Sequence, residues 1–169
     1  LNTGHGIKDG PRVIRYPRGI GEGTDWRNAE STPLPIGKGE RLADGEDVAV
    51  LALGPVANRA LEAAERLRKE TGKSPAVFNV RFLKPFDQEI LKEAAGYRCI
   101  LTLEDGAIKG GLFSEVSEYV ASTGARIPVI GVGIPDRFIT QAPVGRQREQ
   151  CGLTTEIIYS KIVSLIKNN

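Results

Sequence analysis

A chain of 169 residues suits one compact domain with a short appendage, and 40% hydrophobic with 26% charged residues excludes the disordered and fibrous classes. A net charge of +2 without a dense basic run, with only 6% aromatic residues, argues against a nucleic-acid binder, which needs a basic stripe and stacking platforms. No apolar stretch approaches the roughly 18 to 20 residues of a membrane span, and the two cysteines, Cys99 and Cys151, lack the Cys/His spacing of a metal cage, so the sequence reads as a cytoplasmic protein with reduced thiols.

The chain opens on "LNTGHGIKDG", which has neither the basic nor the apolar region of a secretory leader. It begins at Leu1 and contains no methionine, which reads as a processed or excised piece of a longer protein. "PRVIRY" (11–16) predicts a strand that buries Val13 and Ile14, and Pro17 fixes the backbone past its end so that Arg18 projects from the carboxyl end. Residues 20–35 hold Gly, Pro and polar residues without a period and read as a linker, which leaves 1–19 as the remnant of a preceding domain and 36–169 as the main domain. "IGKGERLADGED" (36–47) predicts a hairpin-like edge strand.

From "DVAVLAL" (47–53) onward, β-branched apolar runs alternate with segments of helical period, the pattern of βαβ units. The first strand, 48–53, ends at Gly54, Pro55 takes the first helical position, and Val56, Ala57, Ala60, Leu61, Ala64 and Leu67 repeat at helical spacing until Gly72. A strand at 76–82 precedes a helix capped by Asp87, whose Ile90, Leu91, Ala94 and Ala95 face inward. A strand at 99–105 leads to a helix with Leu112, Phe113, Val116, Tyr119 and Val120 on one face. The strand 128–133 and a last helix, capped by Thr154 with Ile158, Ile162, Leu165 and Ile166 inward, complete an α/β fold: three αβα layers around a mostly parallel, doubly wound sheet.

Several places invite a functional reading. Arg18 is either a solvated arginine at the start of a linker or an anion anchor, since ligands of open α/β sheets bind at strand carboxyl ends and the guanidinium fork suits phosphate or carboxylate. Arg15 alternates away and reads as structural or solvated. "LGPVANRA" has one glycine where a dinucleotide fingerprint needs more, so it reads as an ordinary βα turn. In "LEDGAIKGGLFSE", Glu104 and Asp105 at a strand end, with Lys109, Gly110 and Gly111 opening a helix, either form a small-molecule site or serve locally, the carboxylates as caps and the glycines for close packing. His5 is the only histidine and lies at the start of the chain, so no histidine acid/base operates in the main domain. No Gly-x-Ser-x-Gly elbow or Walker loop occurs. In "IPDRFI" (134–139), Asp136 and Arg137 can pair with each other or with a neighbouring surface, while Phe138 and Ile139 form core or an interface patch, core being favoured; Arg146 and Arg148 read as solvated.

In order, "DGPRVIRYPRG", "LPIGKGE", "VRFLKPFD", "LEDGAIKGGLFSEV", "GIPDRFI" and "CGLTTEII" resemble the C-terminal part of the 1-deoxy-D-xylulose-5-phosphate synthase family, transketolase-like enzymes dependent on thiamine diphosphate. The resemblance covers nearly the whole chain. It implies a three-domain parent that condenses pyruvate with glyceraldehyde 3-phosphate, releasing carbon dioxide, for isoprenoid, thiamine and pyridoxal synthesis. Thiamine diphosphate and Mg²⁺ belong to domains not present here, so the resemblance implies a piece that binds neither and has no catalytic residue of its own. It also implies that Arg18 contacts the phosphate of the aldehyde acceptor. The expected role of 36–169 is packing against the preceding domain and a second subunit of a homodimer, with no nucleic-acid or membrane partner. The resemblance leads us to expect smaller residues at the positions of Leu112 and Phe113. The rival readings are a freestanding small-anion-binding regulatory domain, using the edge near Glu104, Asp105 and Gly110, and a partner-binding module without a small ligand.

Overall fold

Unbroken β-branched and aliphatic runs bounded by glycine and proline must be buried on both faces, which requires a parallel sheet between helical layers. The computed structural model describes residues 2–14, 28 and 32–167, and the chain divides into two compact units, Leu1–Ile36 and Gly37–Asn169.

In the second unit, β1 (Glu40–Ala43), β2 (Val48–Leu53), β3 (Ala76–Asn79), β4 (Cys99–Ala107) and β5 (Val129–Ile134) form one sheet in the order β1-β3-β2-β4-β5. Every neighbouring pair is parallel except β1 with β3. β2 lies at the centre, and its side chains alternate between two cores as strand geometry demands. Val48, Val50 and Ala52 meet α2 (Val56–Thr71) and α6 (Thr155–Lys167) on one face; Ala49 and Leu51 meet α3 (Gln88–Ala94) and α4 (Leu112–Thr123) on the other. The expected three-layer α/β architecture is the one observed.

Local signals largely determine the element ends. α2 stops at Gly72, whose φ of 75° suits a residue without Cβ, and its N–H bonds to the Arg68 carbonyl. The Asp87 side chain accepts from the Glu89 N–H and caps α3. Thr154 caps α6, its Oγ1 accepting from the Ile157 N–H. Ile158 and Ile162 are fully enclosed, whereas Leu165 and Ile166 are half-buried as the helix runs off the sheet.

Some expectations change. Pro55 is the N-cap of α2 rather than its first residue, and Leu61 is half-buried while Ala63 is enclosed. The lead-in strand is not half of a hairpin: β1 skips β2 and pairs antiparallel with β3. β3 ends at Asn79 although the apolar pattern continues to Phe82, because Arg81 takes a positive φ of 55° and donates its N–H to Asn79 Oδ1. Phe113 and Tyr119 on α4, and Ala95 at the end of α3, are less enclosed than Leu112, Val116 and Ala94. A short helix with no buried residue, α5 (Val144–Gln150), fills a stretch whose pattern announced nothing.

In the first unit, α1 (Asn2–Gly6) precedes residues 11–14, which form no strand: Val13 is 96% exposed and Ile14 47%. A strand needs a hydrogen-bonding neighbour, and the described residues of this unit supply none. Arg12 instead donates from Nη1 to the carbonyls of Gly4 (2.8 Å) and His5 (3.1 Å), satisfying the end of α1. The rest of the expected strand, and all of the expected linker except Asn28 and 32–35, lie outside the described residues.

Candidate functional site

The carboxyl edge of β4 and β5 carries several charged side chains. Glu104 alternates inward near the end of β4 and is only 3% exposed. Its carboxylate faces the first turn of α4, where Oε2 accepts the Leu112 N–H at 2.8 Å and Oε1 the Phe113 N–H at 3.0 Å. Two free amide donors and the positive end of the helix dipole offset the cost of burying the charge. The backbone around it leaves little other room. A Cβ on Gly111 would lie 2.0 Å from Glu104 Oε2, and one on Gly133 would lie 2.9 Å from Glu104 Cγ. Gly110 donates its N–H to Ser114 Oγ at 2.8 Å. The apparent anion site is therefore filled by the chain's own carboxylate: Glu104 caps the helix locally and Gly111 permits the close packing, whereas Asp105 is exposed.

The neighbouring charges separate rather than converge. Lys109 Nζ pairs with Asp136 Oδ2 at 2.7 Å, so Asp136 takes a neighbouring surface as partner rather than Arg137. Asp105 is exposed at the rim of a cleft of about 180 Å³. Ile134, Ile139, Val144 and Leu153 wall this cleft, with Arg148 also at its rim. Cys151 lies in it as a free thiol, pushed up by burial and further by the Asp105 charge. Phe138 is not core: it is 104% exposed, whereas Ile139 is half-buried. Arg146 is exposed as expected and pairs at the surface with Glu149 at 2.7 Å, whereas Arg148 is half-buried rather than solvated.

A second polar centre lies where the lead-in segment meets α3. Asp87 is 5% exposed and accepts from the Gly39 N–H (3.1 Å), the Glu89 N–H (3.1 Å) and Lys38 Nζ (3.4 Å). Burial alone would raise its carboxyl, but the two backbone donors and the lysine charge outweigh burial and hold it below the ordinary carboxylate value. The sequence pattern announced the cap on α3; the reach to Gly39, 48 positions away, had no local signal. Lys38 also pairs with Glu89 at 2.6 Å.

At the β2–α2 turn, the Ala57 N–H bonds to the Gly54 carbonyl at 3.0 Å, an ordinary βα connection. His5 belongs to the first unit and Arg12 occupies its carbonyl. Among the described residues no three His, Cys, Asp or Glu side chains are arranged to hold a metal ion. Burial pushes the Cys99 thiol up. Arg18 and Arg15 lie outside the described residues. The described part of the edge thus offers a satisfied cap, surface ion pairs and a small apolar cleft.

Residues 37–158 match the family described as transketolase, C-terminal domain. The chain is 44% identical over 163 residues to the 1-deoxy-D-xylulose-5-phosphate synthase of Parabacteroides distasonis, covering 96% of this chain and 26% of that protein. The synthase of Bacteroides thetaiotaomicron is 40% identical over 155 residues (91% and 24%), and that of Chlorobaculum tepidum 42% over 161 residues (94% and 25%). The chain spans about a quarter of the length of these curated relatives. A solved structure described as split gene transketolase, inactive beta4 tetramer, is similar with a TM-score of 0.70 and 34% identity, covering 79% of this chain and 44% of that one.

Proposed function

Since the chain belongs to the transketolase C-terminal domain family and fits a C-terminal fragment of a 1-deoxy-D-xylulose-5-phosphate synthase, we propose that it is the assembly domain of such an enzyme. In this proposal the parent joins pyruvate to glyceraldehyde 3-phosphate with loss of carbon dioxide, in the cytoplasm, and the present piece packs against the preceding domain and a second subunit. The observation that carries the reading is the extent of the match. The family begins at residue 37, yet similarity to the synthases extends over 163 of the 169 residues and so reaches into the first unit, as expected of a piece continuous with an upstream domain.

The described residues do not fit the parent's cofactors. Mg²⁺ finds no carboxylate cluster, and the amide donors of Leu112 and Phe113, which a diphosphate would use, already hold Glu104. We propose that thiamine diphosphate and Mg²⁺ bind the rest of the parent. The isolated piece is proposed to be inactive; the similar split-gene transketolase structure is itself described as an inactive tetramer.

Residues 1–19 are proposed as the tail of the preceding domain and 20–35 as its linker. Arg18 is proposed to hold the acceptor's phosphate dianion by a two-pronged contact far from the reacting carbon, which aligns the aldehyde. The test joins this chain to the upstream part of a synthase. The joined protein should form the five-carbon sugar phosphate, and Arg18→Ala should raise KM for glyceraldehyde 3-phosphate far more than KM for pyruvate. Equal losses for both substrates refute the role of Arg18, and a joined protein that folds but makes no product refutes the parentage.

A further inference from the structure

Residues 37–43 lead into the sheet and are held by polar contacts more than by apolar burial. Gly37 alone among them is buried, and the side chains of β1 are exposed or half-buried. Two glycines seat the segment where a side chain would not fit. A Cβ on Gly37 would lie 2.9 Å from Pro85 Cγ, and one on Gly39 would lie 2.4 Å from Ile90 Cδ1 and 2.9 Å from the Asn79 carbonyl oxygen. Asp87, which is 5% exposed, fastens this seat by accepting from the Gly39 N–H at 3.1 Å and from Lys38 Nζ at 3.4 Å. Beyond it, Glu40 pairs with Arg81. Arg41 donates to the Tyr97 hydroxyl at 2.8 Å, pairs with Glu93 at 2.9 Å and lies 5.4 Å from the centre of the Phe78 ring.

These contacts differ in strength. Ion pairs as exposed as those of Glu40 and Arg41 contribute little each, whereas a buried carboxylate that loses its donors is left poorly compensated. Asp87 is therefore the point that holds the segment, and β1 has little apolar burial to keep it in place once that point gives way. Segments of this kind open before the core does. We propose that residues 37–43 form a strap, closed over the flank of β3 and the start of α3, that opens as one piece ahead of the rest of the second unit, with the Asp87–Gly39 contact as its catch. Opening bares the flank of β3, whose Ala76, Val77 and Phe78 are fully enclosed while the strap is closed. The strap lies within the unit Gly37–Asn169, so the proposal stands apart from the parentage.

The test is hydrogen exchange of the 169-residue chain under native conditions, read amide by amide by NMR over a series of low urea concentrations. The amides of Gly39 and of the β1 residues that pair with β3 should share one opening constant and one urea slope. That constant should be larger, and that slope smaller, than those of the central strand β2. Two variants probe the catch: Asp87→Ala removes the acceptor, and Gly39→Ala crowds the seat while leaving the Asp87 cap on the Glu89 N–H. Each should multiply the exchange rates at positions 40–43 by one common factor, roughly tenfold to a hundredfold. Unprotected amides at 39–43 would make the segment an ordinary linker and overturn the proposal. Exchange of these amides only together with β2, or each with its own constant, overturns a strap that opens as one piece. A rise confined to position 39 in Asp87→Ala overturns the catch. The wild-type urea series decides the strap even where neither variant folds.

Discussion

Replacing Glu104 with alanine removes an acceptor that two backbone donors share. The Leu112 N–H is buried and the Phe113 N–H partly so, and each is left without a partner at a cost of about 1 to 3 kcal/mol. Loss of the negative charge at the start of α4 adds about 0.3 to 1 kcal/mol. Allowing for water reaching Phe113, the sum is about 3 to 5 kcal/mol, a large share of the roughly 5 to 15 kcal/mol that holds a domain together. Urea unfolding followed by far-ultraviolet circular dichroism should show a lower midpoint with an unchanged slope, and thermal unfolding should fall by about 10 °C or more. Glu104→Gln, which keeps one acceptor, should lie between wild type and Glu104→Ala. If Glu104→Ala costs under about 0.5 kcal/mol, the level of an ordinary surface change, then the carboxylate does not cap α4 and the reasoning fails.

Gly111→Ala should destabilise about as much as Glu104→Ala, because its Cβ would sit 2.0 Å from Glu104 Oε2 and 2.5 Å from the Ala107 carbonyl; a variant with wild-type stability in the same urea titration would refute the close approach. Asp87 is held below its ordinary value of 3.8, so its stabilisation is complete above the unfolded value and is lost as pH falls through the lower folded value. Asp87→Asn should flatten the dependence of unfolding free energy on pH across that acidic window, and an unchanged slope would contradict it. Lys38→Ala should cost far less than Asp87→Ala at neutral pH, because the lysine is half exposed and the two backbone donors remain. An equal loss for Lys38→Ala and Asp87→Ala would mean that the ion pair, not the backbone, makes the site.

The layers of the main domain follow largely from spacing, since Val48 to Leu53 and the helical repeats of α2, α4 and α6 point to one buried side each, although Leu61, Phe113 and Tyr119 are less enclosed than the repeat suggests. What spacing does not carry is direction at long range. Glu104 reads as a carboxylate at a strand end, and only folding reveals that it turns under α4; the clue was the glycine pair opening the helix, which also suited an anion from outside. The partner of β1 is equally silent in four residues that alternate weakly. α5 has no apolar stripe because it buries nothing. Phe138 and Ile139 are adjacent apolar residues with different fates, one in solvent and one against the cleft, and a pattern over six residues cannot divide them. Val13 and Ile14 carry a strand's composition without a strand's neighbour.

β1 is short, charged at Glu40 and Arg41, and slips register between Arg41 and Ala43 while lying along β3. Its brevity and irregularity make it a poor template for further strands, yet it occupies the flank of an apolar segment that would otherwise recruit other molecules into fibrillar stacks. The guard lies within the same compact unit as the sheet it protects.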